Sequence, residues 1–431
     1  VTATAERLSS TSEKNPSRSV PSGALVLIGT LLVSATVCVL RSPAIVLHPE
    51  IYAEDGATWF YAAYQVGWFH PLLTPHSGYL QTFPRLIADI GLLVPLRQLP
   101  ALFVGVSMVV QVLPAVVLAS RRFATVVPRL EARLLLAATY LVASNTIEVN
   151  LNLTNAQWHL GLIAVLLVLS APPTGVGRVV DVVALVTSGL TGPFILALLP
   201  IVAIVYVVRR QRWTMVLLIM TAALTGLQLY ELMTSVRDHL APLGATFSRL
   251  VEILGGQIVG GALLGHTVVS RAPISTHWFA VSLGLAVLGV VIAALAMWSG
   301  PLELRLFNLF AVLVLAASLA SPVVAQKGFQ WQQLTQVDGG RYWFFPTLAL
   351  FVNLLWLAGQ FHHWQGAVAA GACVILAGAL WFGVRTEFRY PPIPDRPNWG
   401  TEVGLFNKLP EGQTFVFTTT PPGWTMTLTK K

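Results

Sequence analysis

The chain has 431 residues, of which 55% are hydrophobic and only 10% charged, with a formal net charge of +8 and a mean hydropathy of +0.71. Apolar runs of about 20 residues, long enough to cross a bilayer, recur along most of its length. This excludes a water-soluble globular protein, and also a membrane β-barrel, whose strands would alternate in short segments. No basic-aromatic module accompanies the positive charge, so no nucleic-acid partner is expected. The charge suits basic loops on one side of a membrane. Cys38 and Cys373 lie inside apolar runs, and no disulfide is expected.

Residues 1–22 are polar and Ser-rich and read as a disordered cytoplasmic tail. The first apolar run, 23–40, is followed by no small-residue cleavage pattern and reads as a retained span. The stretch 42–99 holds Glu54, Asp55, His70, His76 and Arg85 among several prolines. Its apolar piece, Leu86 to Leu96, is too short to span and suits an interfacial helix. Keeping 42–99 outside, with the next span at 100–119, puts Arg121, Arg122, Arg129 and Arg133 inside. Further spans are expected at 134–144, 160–171, 179–188, 194–208, 213–232, 277–298, 306–320, 344–359 and 366–384. Residues 245–264 read as a partly amphipathic helix within an outside segment, and His362 and His363 fall in an inside turn.

The expected fold is an all-α polytopic membrane protein of about eleven transmembrane helices, with its N-terminus in the cytoplasm. Interfacial helices lie in its first outside loop. The membrane domain is 23–385, with outside loops 42–99, 145–159, 233–275 and 321–343. A small outside C-terminal segment, 386–431, carries strand patterning at 413–417 and 424–428. It is too small for an independent domain and reads as a cap over the site.

Arg-rich loops therefore sort to one face, and nearly every Asn, Gln, Trp, His and acid cluster sorts to the other. In the first outside loop, Tyr52-Ala-Glu-Asp-Gly-Ala-Thr-Trp-Phe-Tyr61 sets Glu54 and Asp55 side by side at a membrane boundary. Charge is costly there, which makes both functional candidates, although Asp55 would also suit a helix cap. Gly56 would let the chain turn sharply beside them. The loop continues with His76, Gly78-Tyr79 and Pro84-Arg85. A second segment holds Asn150, Asn152, Asn155, Gln157, Trp158 and His159. Amides bond sugar hydroxyls and an indole covers a pyranose face, but such amides equally tie a loop to its own backbone. Asn152-Leu-Thr154 matches a glycosylation sequon. A third segment is Ser188-Gly-Leu-Thr-Gly-Pro193. A fourth holds Lys327, Gln330, Trp331, Gln332, Asp338, Arg341 and Tyr342. Arg341 and Arg85 can each bind a lipid phosphate through the guanidinium fork, or simply meet headgroups.

Taken in order, Glu54-Asp55-Gly56, Gly78-Tyr79 with Pro84-Arg85, Asn155-Ala-Gln-Trp158-His159, Thr191-Gly-Pro-Phe194 and Gly339-Gly-Arg-Tyr342 resemble the C-type (GT-C fold) integral-membrane glycosyltransferases of bacteria. The likeness covers roughly residues 23–390. The resemblance implies sugar transfer, with inversion, from a polyprenyl-phosphate donor to an envelope glycan or lipid-linked acceptor. The site would lie on the outer face of the inner membrane. It implies Asp55 as general base, Glu54 as a positioning group, and Arg341 with Tyr342, Arg85 and Lys327 at the donor phosphate. Asn152, Asn155, Gln157, Trp158, His159, His76 and Tyr79 would contact sugar or acceptor. No cofactor is called for; a divalent metal stays open. Better-known members of the class often carry a large C-terminal domain, which the segment 386–431 does not match in size. A transporter or flippase of a lipid-linked saccharide would share the same phosphate and sugar contacts.

Overall fold

The computed structural model describes residues 23–69, 71–235, 241–270, 277–325, 327–336, 339–360, 366–390 and 398–431; the tail 1–22, His70, Asp338, His362 and His363 lie outside the described residues. The principal elements are α1 (Gly23–Arg41), α2 (Tyr61–Val66, entered through a wide turn at Asp55–Phe60), α3 (Thr82–Gly91) and α4 (Leu99–Ala119). Then follow α5 (Leu130–Val142), α6 (Ala156–Leu169), α7 (Val176–Gly189), α8 (Phe194–Arg209) and α9 (Arg212–Thr234). After α10 (Phe247–Leu264) come α11 (Trp278–Ser299), α12 (Leu302–Ala320), α13 (Phe344–Ala358) and α14 (Gly366–Ala379). The chain closes with α15 (Trp399–Lys408) and a hairpin of β1 (Thr414–Thr418) and β2 (Thr425–Thr429).

Among the described residues, 8 helices are long and apolar enough to cross a membrane: α1, α4 and α9 to α14, some with short flanking turns. The protein is a helical polytopic membrane protein. Seven of these helices fall on expected spans. The expected spans at 134–144, 160–171, 179–188 and 194–208 are α5 to α8, of 13, 14, 14 and 16 residues. At 1.5 Å per residue they are shorter than a bilayer core.

The eighth long helix, α10, falls where the sequence suggests only an amphipathic outside helix. Its one amide, Gln257, is turned into protein rather than water. Gln257 donates to the carbonyls of Thr335 and Gln336, each at 2.8 Å. Asn145 donates to the Gln257 carbonyl at 2.8 Å. Its glycines let it lie directly on α11: a Cβ at Gly255 would sit 1.7 Å from the Ser282 carbonyl oxygen. Close backbone approach of this kind is how helices pack where lipid offers no hydrophobic drive.

Arg122 and Arg209 lie at one end of the bundle, in ion pairs. Arg122 grips Asp181 with two bonds of 2.6 and 2.9 Å, and the Trp213 indole adds a third at 3.3 Å. Arg209 pairs with Glu303 at 3.2 Å and donates to the carbonyls of Leu169 and Ser170 at 2.6 and 2.9 Å. These bonds tie the ends of α4, α6, α7, α8 and α12 together. Buried charges survive in such places only when paired.

The opposite end carries the polar loops and the C-terminal unit. β1 and β2 pair antiparallel from Thr414↔Thr429 to Thr418↔Thr425, close to the strands expected. Phe417, Met426 and Leu428 of the hairpin, with Trp399 and Phe406 of α15, pack on Ile51, Trp59, Phe60 and Phe103. The Thr420 N–H donates to the Ile51 carbonyl at 2.9 Å. Cys38 and Cys373 are both free.

Candidate functional site

Two of the polar segments are sewn to one another by backbone bonds. The turn before α8 docks on the first loop: the Gly192 N–H donates to Leu80 O at 2.9 Å, and the Thr82 N–H to Leu190 O at 3.0 Å. Gln228 of α9 fixes both sides, accepting from the Leu80 N–H at 3.1 Å and donating to Gly189 O at 2.8 Å. The fourth segment joins through Arg341. Its backbone N–H donates to Glu148 at 2.8 Å, its guanidinium pairs with the same carboxylate, and it donates to Val323 O at 2.8 Å. The Val323 N–H in turn donates to the Tyr342 hydroxyl at 3.0 Å.

Where these segments meet lies a cavity of about 390 Å³. One part of its wall is polar and aromatic: Glu54, Trp59, His76, Tyr79, Gln81, Gln157, Trp158, Arg341 and Tyr342. The other part is apolar and comes from two helices, with Leu196, Ala197 and Pro200 of α8 and Leu313, Val314 and Ala317 of α12. His76 stands edge-on to Trp59, ring centroids 4.9 Å apart. Three of the lining side chains are buried yet hold a polar atom with no hydrogen-bond partner: Gln81 Oε1, Gln157 Oε1 and Trp158 Nε1. Pro200 has no N–H for the Leu196 carbonyl one turn back. Unpaired polar groups on a buried wall are costly unless a ligand or water meets them.

The adjacent acids have separate fates. Glu54 lines the cavity. Its pKa is raised above the usual carboxylate range by burial, with a backbone hydrogen bond and Arg341 working the other way. Asp55 is not among the lining residues. It is 1% exposed, and both its oxygens are engaged. Oδ2 accepts from the Leu153 N–H at 3.0 Å, and Oδ1 from the Thr154 N–H at 2.8 Å and hydroxyl at 2.7 Å. Asp55 was expected to meet substrate; the Leu153–Thr154 segment holds both its oxygens, beside the cavity rather than in its lining. Burial raises its pKa to about 7, against the opposing pull of those three bonds. Gly56 is required not for a sharp turn but for close approach, since a Cβ there would lie 2.5 Å from Ile51 Cγ2 and 3.3 Å from Met426.

The other expected contacts divide in the same way. His76, Tyr79, Gln157, Trp158, Arg341 and Tyr342 line the cavity, whereas Asn152, Asn155, His159, Arg85 and Lys327 do not. Asn152 and Asn155 both donate to the Glu148 carbonyl at 2.9 Å, so these amides tie down their own loop. The sequon asparagine is thereby buried. His159 is fixed between the Tyr140 hydroxyl at 2.8 Å and Val149 O at 2.9 Å. Arg85 stacks behind the cavity on Trp59, 4.9 Å from the ring centroid, and burial lowers its pKa to about 10. Lys327 is exposed. The C-terminal unit, expected as a cap, contributes no lining residue; it buttresses the loop that carries Glu54.

Sequence reasoning missed Glu148, the ion-pair partner of Arg341. The available signal was a lone acid in an amide-rich loop of a membrane protein. It also missed Gln81 and Trp59. Among the described residues no group of three or more His, Cys, Asp or Glu side chains is arranged to hold a metal. No protein-family model matches the chain, and no curated protein matches it either.

Proposed function

We propose that the protein is a membrane glycosyltransferase of the C-type, moving a sugar from a polyprenyl-phosphate donor to a glycan or lipid-linked acceptor with inversion. The outer face of a bacterial inner membrane is the place this reading gives to the cavity end. The observation that carries it is the composition of one cavity. A carboxylate, an arginine and three unpartnered amide or indole atoms face an apolar wall built from α8 and α12. A polyhydroxylated headgroup on a lipid tail fits both halves. Stacking on Trp59, Trp158 or Tyr342 suits the apolar face of a pyranose.

In this reading Glu54, rather than Asp55, is the general base. Its carboxylate takes the proton of the acceptor hydroxyl as that oxygen forms its bond to the anomeric carbon. The bond from that carbon to the lipid phosphate breaks, and the phosphate leaves with the electron pair. Attack opposite the leaving group inverts the centre. Burial strengthens Glu54 as a base. Arg341, held rigid by Glu148 and Val323, meets charge developing on the phosphate without having to reorganise. Asp55 positions: it locks Leu153 and Thr154, and with them the start of α6 that presents Gln157 and Trp158.

The direct test is transfer of radiolabelled sugar from polyprenyl-phosphate donors to lipid-linked acceptors by the protein in proteoliposomes. Formation of a glycosylated acceptor is expected. Movement of intact labelled lipid between leaflets, with no transfer product, would establish the flippase reading instead.

A further inference from the structure

A second cavity, of about 510 Å³, occupies the other end of the same helices. On α6 the first cavity touches Gln157 and Trp158, and the second touches Leu162, Leu166 and Leu169. On α12 the first touches Leu313 to Ser318, and the second touches Leu304 and Phe307. The catalytic reading above therefore leaves this space unused.

The wall is almost wholly apolar. Polar character is confined to a few lining residues, chiefly Arg129, Glu303 and Gln360. Glu303 is neutralised by Arg209 at 3.2 Å. Gln360 donates to Trp356 O at 3.4 Å. Arg129 is exposed and makes no ion pair among the described residues. On the same loop Arg122 is engaged with Asp181, and Arg133 with the carbonyls of Ala119 and Ser120, while Arg121 is not among the lining residues. An apolar cavity of about 150 Å³ already takes a benzene. A space more than three times that size, walled by apolar helices, is of a size for a chain rather than for water. Its one uncommitted charge is a guanidinium, whose fork matches a phosphate.

We propose that this cavity binds one anionic phospholipid, an acyl chain between α5, α6, α12 and α13 and the headgroup phosphate at Arg129. The site is independent of sugar transfer, so its failure leaves the glycosyltransferase reading intact.

The test is native mass spectrometry of the detergent-solubilised protein titrated with phosphatidylglycerol or phosphatidylcholine. Wild type is expected to retain one phosphatidylglycerol in preference to phosphatidylcholine. Arg129→Ala should reduce that preference about five-fold, the effect of one basic residue on an anionic lipid, without weakening phosphatidylcholine binding. Leu166→Trp, which fills the cavity, should abolish retention of both lipids. Because Arg129 is exposed, its variant folds whether or not Leu166→Trp does. Equal retention of the two lipids by wild type, or an unchanged preference in Arg129→Ala, would overturn the proposal.

Discussion

Replacing Asp55 by Asn separates a buttress from a catalytic base. The native carboxylate receives three donors, at 3.0, 2.8 and 2.7 Å, in a site 1% exposed. Asn keeps one acceptor oxygen, which still serves the N–H and hydroxyl of Thr154. Its NH2 then faces the Leu153 N–H, leaving a buried donor without an acceptor. Such an orphan costs about 1–3 kcal/mol, and that is the expected loss of stability. The pH dependence has a definite sign. Burial raises Asp55 from 3.8 to about 7, so its protonation favours the folded state. That contribution is fully present below the unfolded value and is lost as pH rises through about 7. Asn has no such dependence, so the deficit should be larger in acid than in mild alkali. Melting of both proteins in detergent across that range measures it, alongside sugar transfer at a temperature where both are folded. A variant that melts like wild type at every pH but has lost turnover would refute the buttress and restore Asp55 as the base.

Three further outcomes follow from the same geometry. Gly56→Ala puts a methyl group 2.5 Å from Ile51 Cγ2; it should destabilise the C-terminal unit by about 1–3 kcal/mol, read as a lowered melting temperature and faster proteolysis after residue 386. Trp158→Phe keeps the ring packed on Phe194, 4.6 Å away, but removes the unpartnered N–H. Its melting should match wild type while KM for the donor rises about five-fold, the worth of one hydrogen bond. Turnover should rise with pH as Glu54 ionises, and because burial raises its pKa the acid limb of kcat/KM should lie above the ordinary carboxylate range. A limb at the ordinary value would point to a solvated acid instead.

Seven of the long helices and the clustering of polar loops were legible because both follow from composition. Hydrocarbon demands long apolar runs, and acids and amides next to lipid must gather. What was not legible was direction over one residue. Glu54 and Asp55 are adjacent and chemically alike; only donors from Leu153 and Thr154, 98 and 99 residues away, turn Asp55 inward. The amides of Asn152 and Asn155 suit a sugar as well as their own loop, and their tie to the Glu148 carbonyl appears only in three dimensions. Glu148 itself was hidden because its role depends on Arg341, 193 residues later. Helix α10 misled for a related reason. Its Gln257 and glycines lower its apparent hydrophobicity, yet they face Thr335 and Ser282 rather than water.

The most direct measurement is single-turnover sugar transfer by Glu54→Gln in proteoliposomes, with donor binding measured on the same preparation. Gln preserves the shape of the cavity and removes only the base. The account predicts donor binding within a few-fold of wild type and a transfer rate lower by about 100-fold or more. Transfer at the wild-type rate by Glu54→Gln would contradict it.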